Sequence, residues 1–368
     1  MTASTGSRKP IGVGIVGLSA DGGWGSRGHV PALRAVEGYE LRGLAASSAR
    51  SAERAAQRYG VAAAYSDVSD LAHDENIDLV VIAVRVPRHR ELILPVLEAG
   101  KAVLSEWPLA TGLAEAEELA LLAQRYGVRT AVGLQSRSAP AVRYLRDLIA
   151  DGYVGEVLST TLLGSGGGWG PAVGSGGAYT VDRSNGATLM TIPFGHTLDA
   201  LTMCLSSFTE LSATTATRRP TVRVSDTGES IPMTAEDQIA VSGRLASGAV
   251  ASLHYRGGSS RATNLHWEIN GTDGDLVISG NTGHLQFGQF EISGARGNDQ
   301  QLSPLPVPSR YQEVDGVDGP AGVVAHAYAQ LREDLHTGSS TVPGFRHAVE
   351  HHRLLDRIVR SAETGTRQ

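Results

Sequence analysis

The feature that most limits how this chain folds is an alternation that runs from Ile11 to about Leu134. Short apolar runs, rich in β-branched residues, each precede a stretch with helical spacing. IGVGIVGL (Ile11 to Leu18) contains no polar residue, which is how a strand buried on both faces reads. A helix-compatible stretch follows from His29 to Val36, and Tyr39 to Ala46 forms the second run. SARSAERAAQRYG reads as a helix closed by Gly60, LVVIAV (Leu79 to Val84) as a strand, and HRELILPVLEAG as a helix closed by Gly100. AVLSE (Ala102 to Glu106), a helix from Leu113 to Tyr126 and the strand RTAVGL complete the series. Strands alternating with helices at this spacing predict a doubly wound parallel sheet. A Rossmann-type, nucleotide-binding domain is therefore expected over residues 10–135, after a polar start, 1–9, expected to be disordered.

Beyond residue 150 the pattern changes to period 2. VLSTTLLG, QIAVSGRLASG, AVASLHYRGG, HWEINGTDGDLVISG and HLQFGQFEISG alternate apolar and polar residues and are separated by SG, GTDG and GNTG turns. Such alternation predicts antiparallel strands with one solvated face. One helix, ATLMTIPFGHTLDALTMCLSS, interrupts them, and VVAHAYAQLREDLHTG and FRHAVEHHRLLDRIVRSAET close the chain. The fold class expected is α/β: an N-terminal doubly wound parallel sheet, then an α+β domain over 136–368 with a large, mostly antiparallel open sheet. That second domain is assigned to substrate binding and oligomerisation. The glycine-rich segment from Gly164 to Gly177 is expected to be a mobile loop lining a cleft. One helix layer cannot cover so long a sheet, so its free face predicts a homodimer or homotetramer.

Composition narrows the function classes. The 368 residues suffice for two domains. With Cys204 alone, an intrachain disulfide is impossible and a thiolate metal site is excluded, which fits a reducing, cytoplasmic setting. No apolar run reaches the roughly 20 residues a membrane span requires. The 32 basic against 38 acidic side chains give a formal charge of −6 without a basic block, so neither nucleic acid nor membrane is an expected partner.

The first strand ends in Gly17-Leu18-Ser19 and is followed by ADGGWGSRG, so the turn that would cradle a pyrophosphate is glycine-rich without being a clean GxGxxG. Gly17, Ser19 and Trp24 are the candidate contacts there. After the second strand, Ala46-Ser47-Ser48-Ala49-Arg50 lacks the carboxylate that would hold a ribose 2′-hydroxyl. NADP is thereby favoured, with NAD possible, and Ser47, Ser48 and Arg50 are candidate phosphate ligands. The alternative stays open: Ser47 caps the next helix and Arg50 is a solvated surface residue.

The long GWGS-type loop, VPRHRELILPVLEAGKAVLSEWPLA, VGLQSRSAPAVRYLRDLIADGYVGEVLS and the IPFGHTLD helix together resemble the glucose-fructose oxidoreductase / inositol dehydrogenase / MocA superfamily. They are most similar to a branch that includes a fungal galactose-regulon repressor. The resemblance implies hydride chemistry on a sugar-like substrate. It also implies cofactor contacts at Val86, Pro87 and His89, and a role for Glu106 at the nicotinamide ribose or amide. The family's Glu-Lys-Pro is here Glu106-Trp107-Pro108, and the family's helix aspartate is here Ile192, four residues before His196. With lysine and aspartate absent, His196 is the expected acid/base, assisted by Tyr179 or Asp182. Its ordinary pKa near 6.5 would serve either direction. Trp107 would give the site an apolar wall or a cation-binding face, and an iminium substrate would then need no general acid. Gln135 and Arg137 are expected to face the cleft. Tyr255, His266 and Trp267 read as sheet-face residues, and His347, His351 and His352 as one face of a terminal helix, so no metal site is expected. Two further functions compete with the oxidoreductase: a cofactor-binding sensor or regulator without catalysis, and lyase or hydrolase chemistry through a retained cofactor.

Overall fold

The computed structural model describes residues 9–368, so nearly all of the expected disordered start lies outside the described residues. The chain forms two compact units. The first combines the chain up to Leu109 with Glu118–Gly133 and Val314–Phe345. Its sheet holds β1 (Ile11–Val16), β2 (Tyr39–Ala45), β3 (Ala63–Tyr65), β4 (Leu79–Ile82), β5 (Ala102–Glu106) and β6 (Thr130–Gly133), all parallel, in the order β3-β2-β1-β4-β5-β6. Order reverses between β1 and β4, which places a topological switch point at their carboxyl ends. All six residues of β1 and all four of β4 are buried, as their unbroken apolar runs require.

β3 is absent from the sequence reading. Three residues at a sheet edge, paired only with β2, carry no apolar run. Counting it makes β5, not a fourth strand, the one that ends in Glu106. The single boundary expected after residue 135 is also corrected. The Gly319–Thr337 helix, assigned from sequence to the C-terminal domain, belongs to the first unit. Its Val324, Ala325, Tyr328 and Leu331 complete the core around Val13, Ile15 and Leu33. A helix seeks the apolar surface that fits it, and sequence distance does not limit that choice.

The second unit comprises Ala110–Glu117, Leu134–Glu313 and Arg346–Gln368. Its strands are β7 (Val157–Gly166), β8 (Ala172–Val173), β9 (Phe208–Ala216), β10 (Thr221–Val224), β11 (Ser230–Pro232), β12 (Gln238–Leu245), β13 (Val250–Gly257), β14 (Leu265–Gly271), β15 (Gly274–Gly280), β16 (Glu291–Arg296) and β17 (Ser303–Pro304). Eight form one sheet in the order β17-β16-β15-β14-β7-β13-β12-β9, and β11-β10-β8 form a small second one. The large sheet is antiparallel except for the central pair β7 and β13. Leu162, Leu253, Tyr255, Trp267 and Ile278 fill its buried face, and the other face leaves Val250 exposed among Ser, Thr and His side chains. HLQFG, read from sequence as the start of a strand, is instead a short helical turn at Leu285–Phe287.

The glycine-rich segment is not a loose loop. Ala172–Val173 pairs with β10, the Ser175 amide donates to Asp226, and the Trp169 indole is buried with its Nε1 donating to the Thr180 carbonyl at 2.9 Å. Trp169 sits in the left-handed region at φ 54°, and Gly257 makes room for its carbonyl, because a Cβ there would lie 2.2 Å from that oxygen.

Candidate functional site

In the first unit the turn after β1 is built around Gly17, whose φ of 94° is left-handed. A Cβ there would lie 2.6 Å from the Ala83 carbonyl oxygen, so only glycine lets β1 and β4 exit side by side. Beside it opens a cavity of about 370 Å³ at the carboxyl ends of β1, β2 and β4, lined by Gly17, Ser19, Ser47, Ser51, Ser66 and Arg88, with Leu18, Val68 and Leu92 among its apolar walls. No carboxylate lines it.

Of the residues expected at this end, Gly17, Ser19 and Ser47 lie together on that cavity. Ser48 is instead the N-cap of the Ala49–Tyr59 helix, its Oγ accepting from the Ser51 amide at 3.3 Å, while the exposed Arg50 does not line the cavity. The capping role weighed for Ser47 thus falls one residue later. Ser51, Ser66 and Arg88 escaped the sequence reading because they come from the following helix and from two other loops. Arg88, adjacent to the expected Pro87, was the one with a local signal.

On the other side of the switch point, β5 ends in Glu106. His29 Nε2 lies 3.0 Å from Glu106 Oε1, and His29 Nδ1 lies 2.8 Å from the Tyr328 hydroxyl. His89 is buried, its Nε2 facing the Val84 carbonyl at 3.1 Å and its Nδ1 near the Leu109 carbonyl and the Ser105 hydroxyl. Burial holds its pKa below the ordinary value, so the neutral ring ties the loop after β4 to the loop after β5. Val86 and Trp107 are buried and Pro87 is exposed. Trp24 packs edge-on to His29, with ring centroids 6.4 Å apart.

In the second unit, a π-helical turn at Met190–Phe194, containing Pro193, leads into the Gly195–Leu205 helix that carries His196. Proline removes a backbone donor, which loosens the turn at this point. His196 is 3% exposed, and burial lowers its pKa to about 3, against an opposing pull from Asp199. The ring is therefore neutral at physiological pH. Its Nδ1 lies 3.2 Å from Ser136 Oγ, which also lies 3.3 Å from the His196 carbonyl oxygen. With the serine hydroxyl donating to Nδ1, Nε2 carries the hydrogen and is a donor. With the hydroxyl turned to the carbonyl, Nδ1–H donates to the serine and Nε2 becomes a base. One hydroxyl rotation thus selects the imidazole's role.

One turn on, Asp199 Oδ1 accepts from Arg137 Nη1 at 2.9 Å and lies 2.6 Å from His347 Nε2. Burial alone would raise the Asp199 pKa, but Arg137 and His347 hold it well below the usual carboxylate range. His351 Nε2 lies 2.8 Å from the Gly195 carbonyl oxygen. Gln135 is buried on the same Gln135–Ser138 turn as Ser136. Tyr179 and Asp182 lie on two consecutive helical turns, and Asp182 is exposed, accepting from the Ser184 amide and hydroxyl as a turn cap. Among the described residues, no group of three His, Cys, Asp or Glu side chains is placed to hold a metal, and no helix is long and apolar enough to cross a membrane.

Two family models match the chain: an oxidoreductase family with an NAD-binding Rossmann fold over residues 11–134, and the C-terminal domain of Gal80p over residues 140–280. The galactose/lactose metabolism regulatory protein GAL80 of Saccharomyces cerevisiae is 32% identical over 318 residues, covering 80% of this chain and 73% of that protein. Dehydrogenase aclE of Aspergillus oryzae is 30% identical over 369 residues, 97% of each chain. The crystal structure of a super-repressor mutant of Saccharomyces cerevisiae Gal80p superposes with a TM-score of 0.89 at 27% identity, covering 98% of this chain and 97% of that one. A parallel six-stranded sheet with glycine at its switch point, followed by a mostly antiparallel eight-stranded one, thus joins these matches in one conclusion: the chain belongs to the Gfo/Idh/MocA oxidoreductase family and carries a C-terminal portion of the Gal80p type.

Proposed function

We propose that the chain is a nicotinamide-dinucleotide-dependent oxidoreductase, NADP being favoured over NAD. Its substrate would be a small polar carbonyl, hydroxyl or imine compound of sugar-like character. The supporting observation is the cavity at the ends of β1, β2 and β4, where Gly17 admits no Cβ and Ser47 follows β2 where a carboxylate would select NAD, with Arg88, paired to Glu91, on the facing wall from the loop after β4. A guanidinium among hydroxyls suits a 2′-phosphate better than a ribose diol. A bound dinucleotide supplies the hydride but not the proton. When a carbonyl is reduced, its carbon gains the hydride and its oxygen a proton. His196 fits this as a neutral N–H that hydrogen-bonds the developing alkoxide while solvent water supplies the proton, and in the oxidative direction as an acceptor for the hydroxyl hydrogen. An iminium substrate would need only the hydride. The same reading includes a homodimer or homotetramer assembled through the free face of the large sheet; sedimentation at the mass of one chain would remove that part.

A second reading, a cofactor-binding regulator without turnover, is favoured by one observation. Trp107 and Ile192 stand where the family has lysine and aspartate, and His196 is not an imidazolium at neutral pH and so is no strong general acid. The relatives named as galactose regulators give it weight. Fluorescence titration with NADPH and NADH, followed by a panel of keto-sugars, aldehydes and cyclic imines, separates the two. The enzyme reading expects NADPH to bind roughly tenfold tighter and to be oxidised by at least one class. His196→Ala should remove turnover with cofactor affinity nearly intact. Binding without oxidation across the panel gives the regulator.

A further inference from the structure

Glu106 is held by two buried side chains that the proposed reaction does not use. His29, 1% exposed, sits between the Glu106 carboxylate at 3.0 Å and the Tyr328 hydroxyl at 2.8 Å. Tyr328 is fully buried on the Gly319–Thr337 helix, and its carbonyl accepts from the Tyr39 hydroxyl at 2.9 Å. Its ring meets His29 edge-on, with centroids 5.8 Å apart and planes at 79°. β6 contributes an absence: a Cβ on Gly133 would lie 2.6 Å from Glu106 Oε1, so glycine there leaves the space that the carboxylate fills.

The hydrogens of this chain of contacts follow from chemistry. A carboxylate only accepts, so in the arrangement that satisfies this contact Nε2 of His29 carries the hydrogen donated to Glu106. Nδ1 is then a lone pair and accepts from Tyr328. Burial first, then the neighbouring Tyr39 and Glu106, push the phenol pKa far up, so Tyr328 keeps the proton that it donates. In this arrangement every member is satisfied, which is the condition for a buried polar network to be rigid.

With strands in the order β3-β2-β1-β4-β5-β6, the cavity beside β1 and β2 would hold the adenosine half of a dinucleotide, which would leave the nicotinamide half to residues at the ends of β4 and β5. Glu106, its side chain 13% exposed, is the acidic residue at the end of β5. We propose that His29 and Tyr328 are positioning residues for Glu106. By fixing one carboxylate oxygen they preset the other as an acceptor for a ribose hydroxyl or carboxamide N–H of the nicotinamide half. A helix some 220 residues further along the chain thereby becomes part of the cofactor site. This inference rests on the dinucleotide reading above.

The test compares two probes on folded protein: the reduced dinucleotide that the wild type binds more tightly, and the matching ADP or 2′-phospho-ADP, which has neither the nicotinamide nor its ribose. Tyr328→Phe removes a single oxygen, and Glu106→Gln keeps shape while removing charge. Each is expected to weaken the dinucleotide roughly five- to tenfold and to leave the fragment within about twofold. The double variant should bind no worse than Glu106→Gln alone, because the two residues act through one carboxylate. Equal loss of both probes in folded Tyr328→Phe would make the tyrosine merely structural and overturn the proposal. Unchanged dinucleotide affinity in that variant, or additive losses in the double variant, would overturn it too. A wild type that binds neither probe overturns the dinucleotide reading itself, and this inference with it.

Discussion

Four histidines of the second unit, His196, His284, His351 and His352, are held by burial at pKa values of about 3 to 4. In the unfolded chain each would titrate near 6.5, so between pH 6.5 and about 4 the unfolded state takes up protons that the native state refuses. The stability that neutral burial represents is complete above pH 6.5 and is lost as pH falls through that window, by up to about 1.4 kcal/mol per pH unit for each group. We expect the urea midpoint to be highest near pH 7–8 and to drop steeply toward pH 4, with His351→Gln making the drop shallower. A midpoint constant from pH 7 to pH 5 would contradict these burials. The same shift removes the His196 ionisation from any rate profile between pH 5 and 8, a correction to the near-neutral acid/base that its residue type suggested. The family resemblance had pointed to His196, and position after the first two strands to Gly17 and Ser47. Spacing had no access to Arg88, Ser51 or the Ser136 contact, because these meet only when separate loops converge.

At the scale of elements, the glycine-rich segment shows how one side chain converts a flexible composition into fixed structure. Trp169 donates to Thr180 and stacks on His284 with centroids 6.3 Å apart, and His284 accepts from the Gly167 amide. Trp169→Ala removes this anchor, with an expected cost of about 3–5 kcal/mol, and limited proteolysis should then cut within residues 164–177. Resistance equal to that of the wild type would mean that the β8 pairing alone holds the segment. Composition predicted mobility here because its glycine cues are local and the anchor is tertiary in nature. The buried strands of the first sheet and the alternating strands of the second were legible, since periodicity directly encodes which faces are covered. β3, β8, β10 and β11, each of two to four residues, were too short to carry a period.

At the scale of the whole molecule, the chain leaves its first unit after β6 and returns to it through Val314–Phe345. A fragment covering residues 9–135 would therefore expose the surface that Tyr328, Val324 and Leu331 cover. It should lack a cooperative thermal transition by circular dichroism, and fusing residues 314–345 to it through a flexible linker should restore one. Cooperative melting of the short fragment alone would show that the returning helix is dispensable. The amino-acid sequence by itself determined the two sheet types, the glycine turn at the first strand and the absence of a carboxylate after the second, because each is written in local pattern and residue type. Only the tertiary structure decided which unit owns the Gly319–Thr337 helix, which arginine lines the cavity and how acidic His196 is. Those depend on burial and on contacts between residues far apart in the chain, where the free energy is set by surroundings that no local window contains.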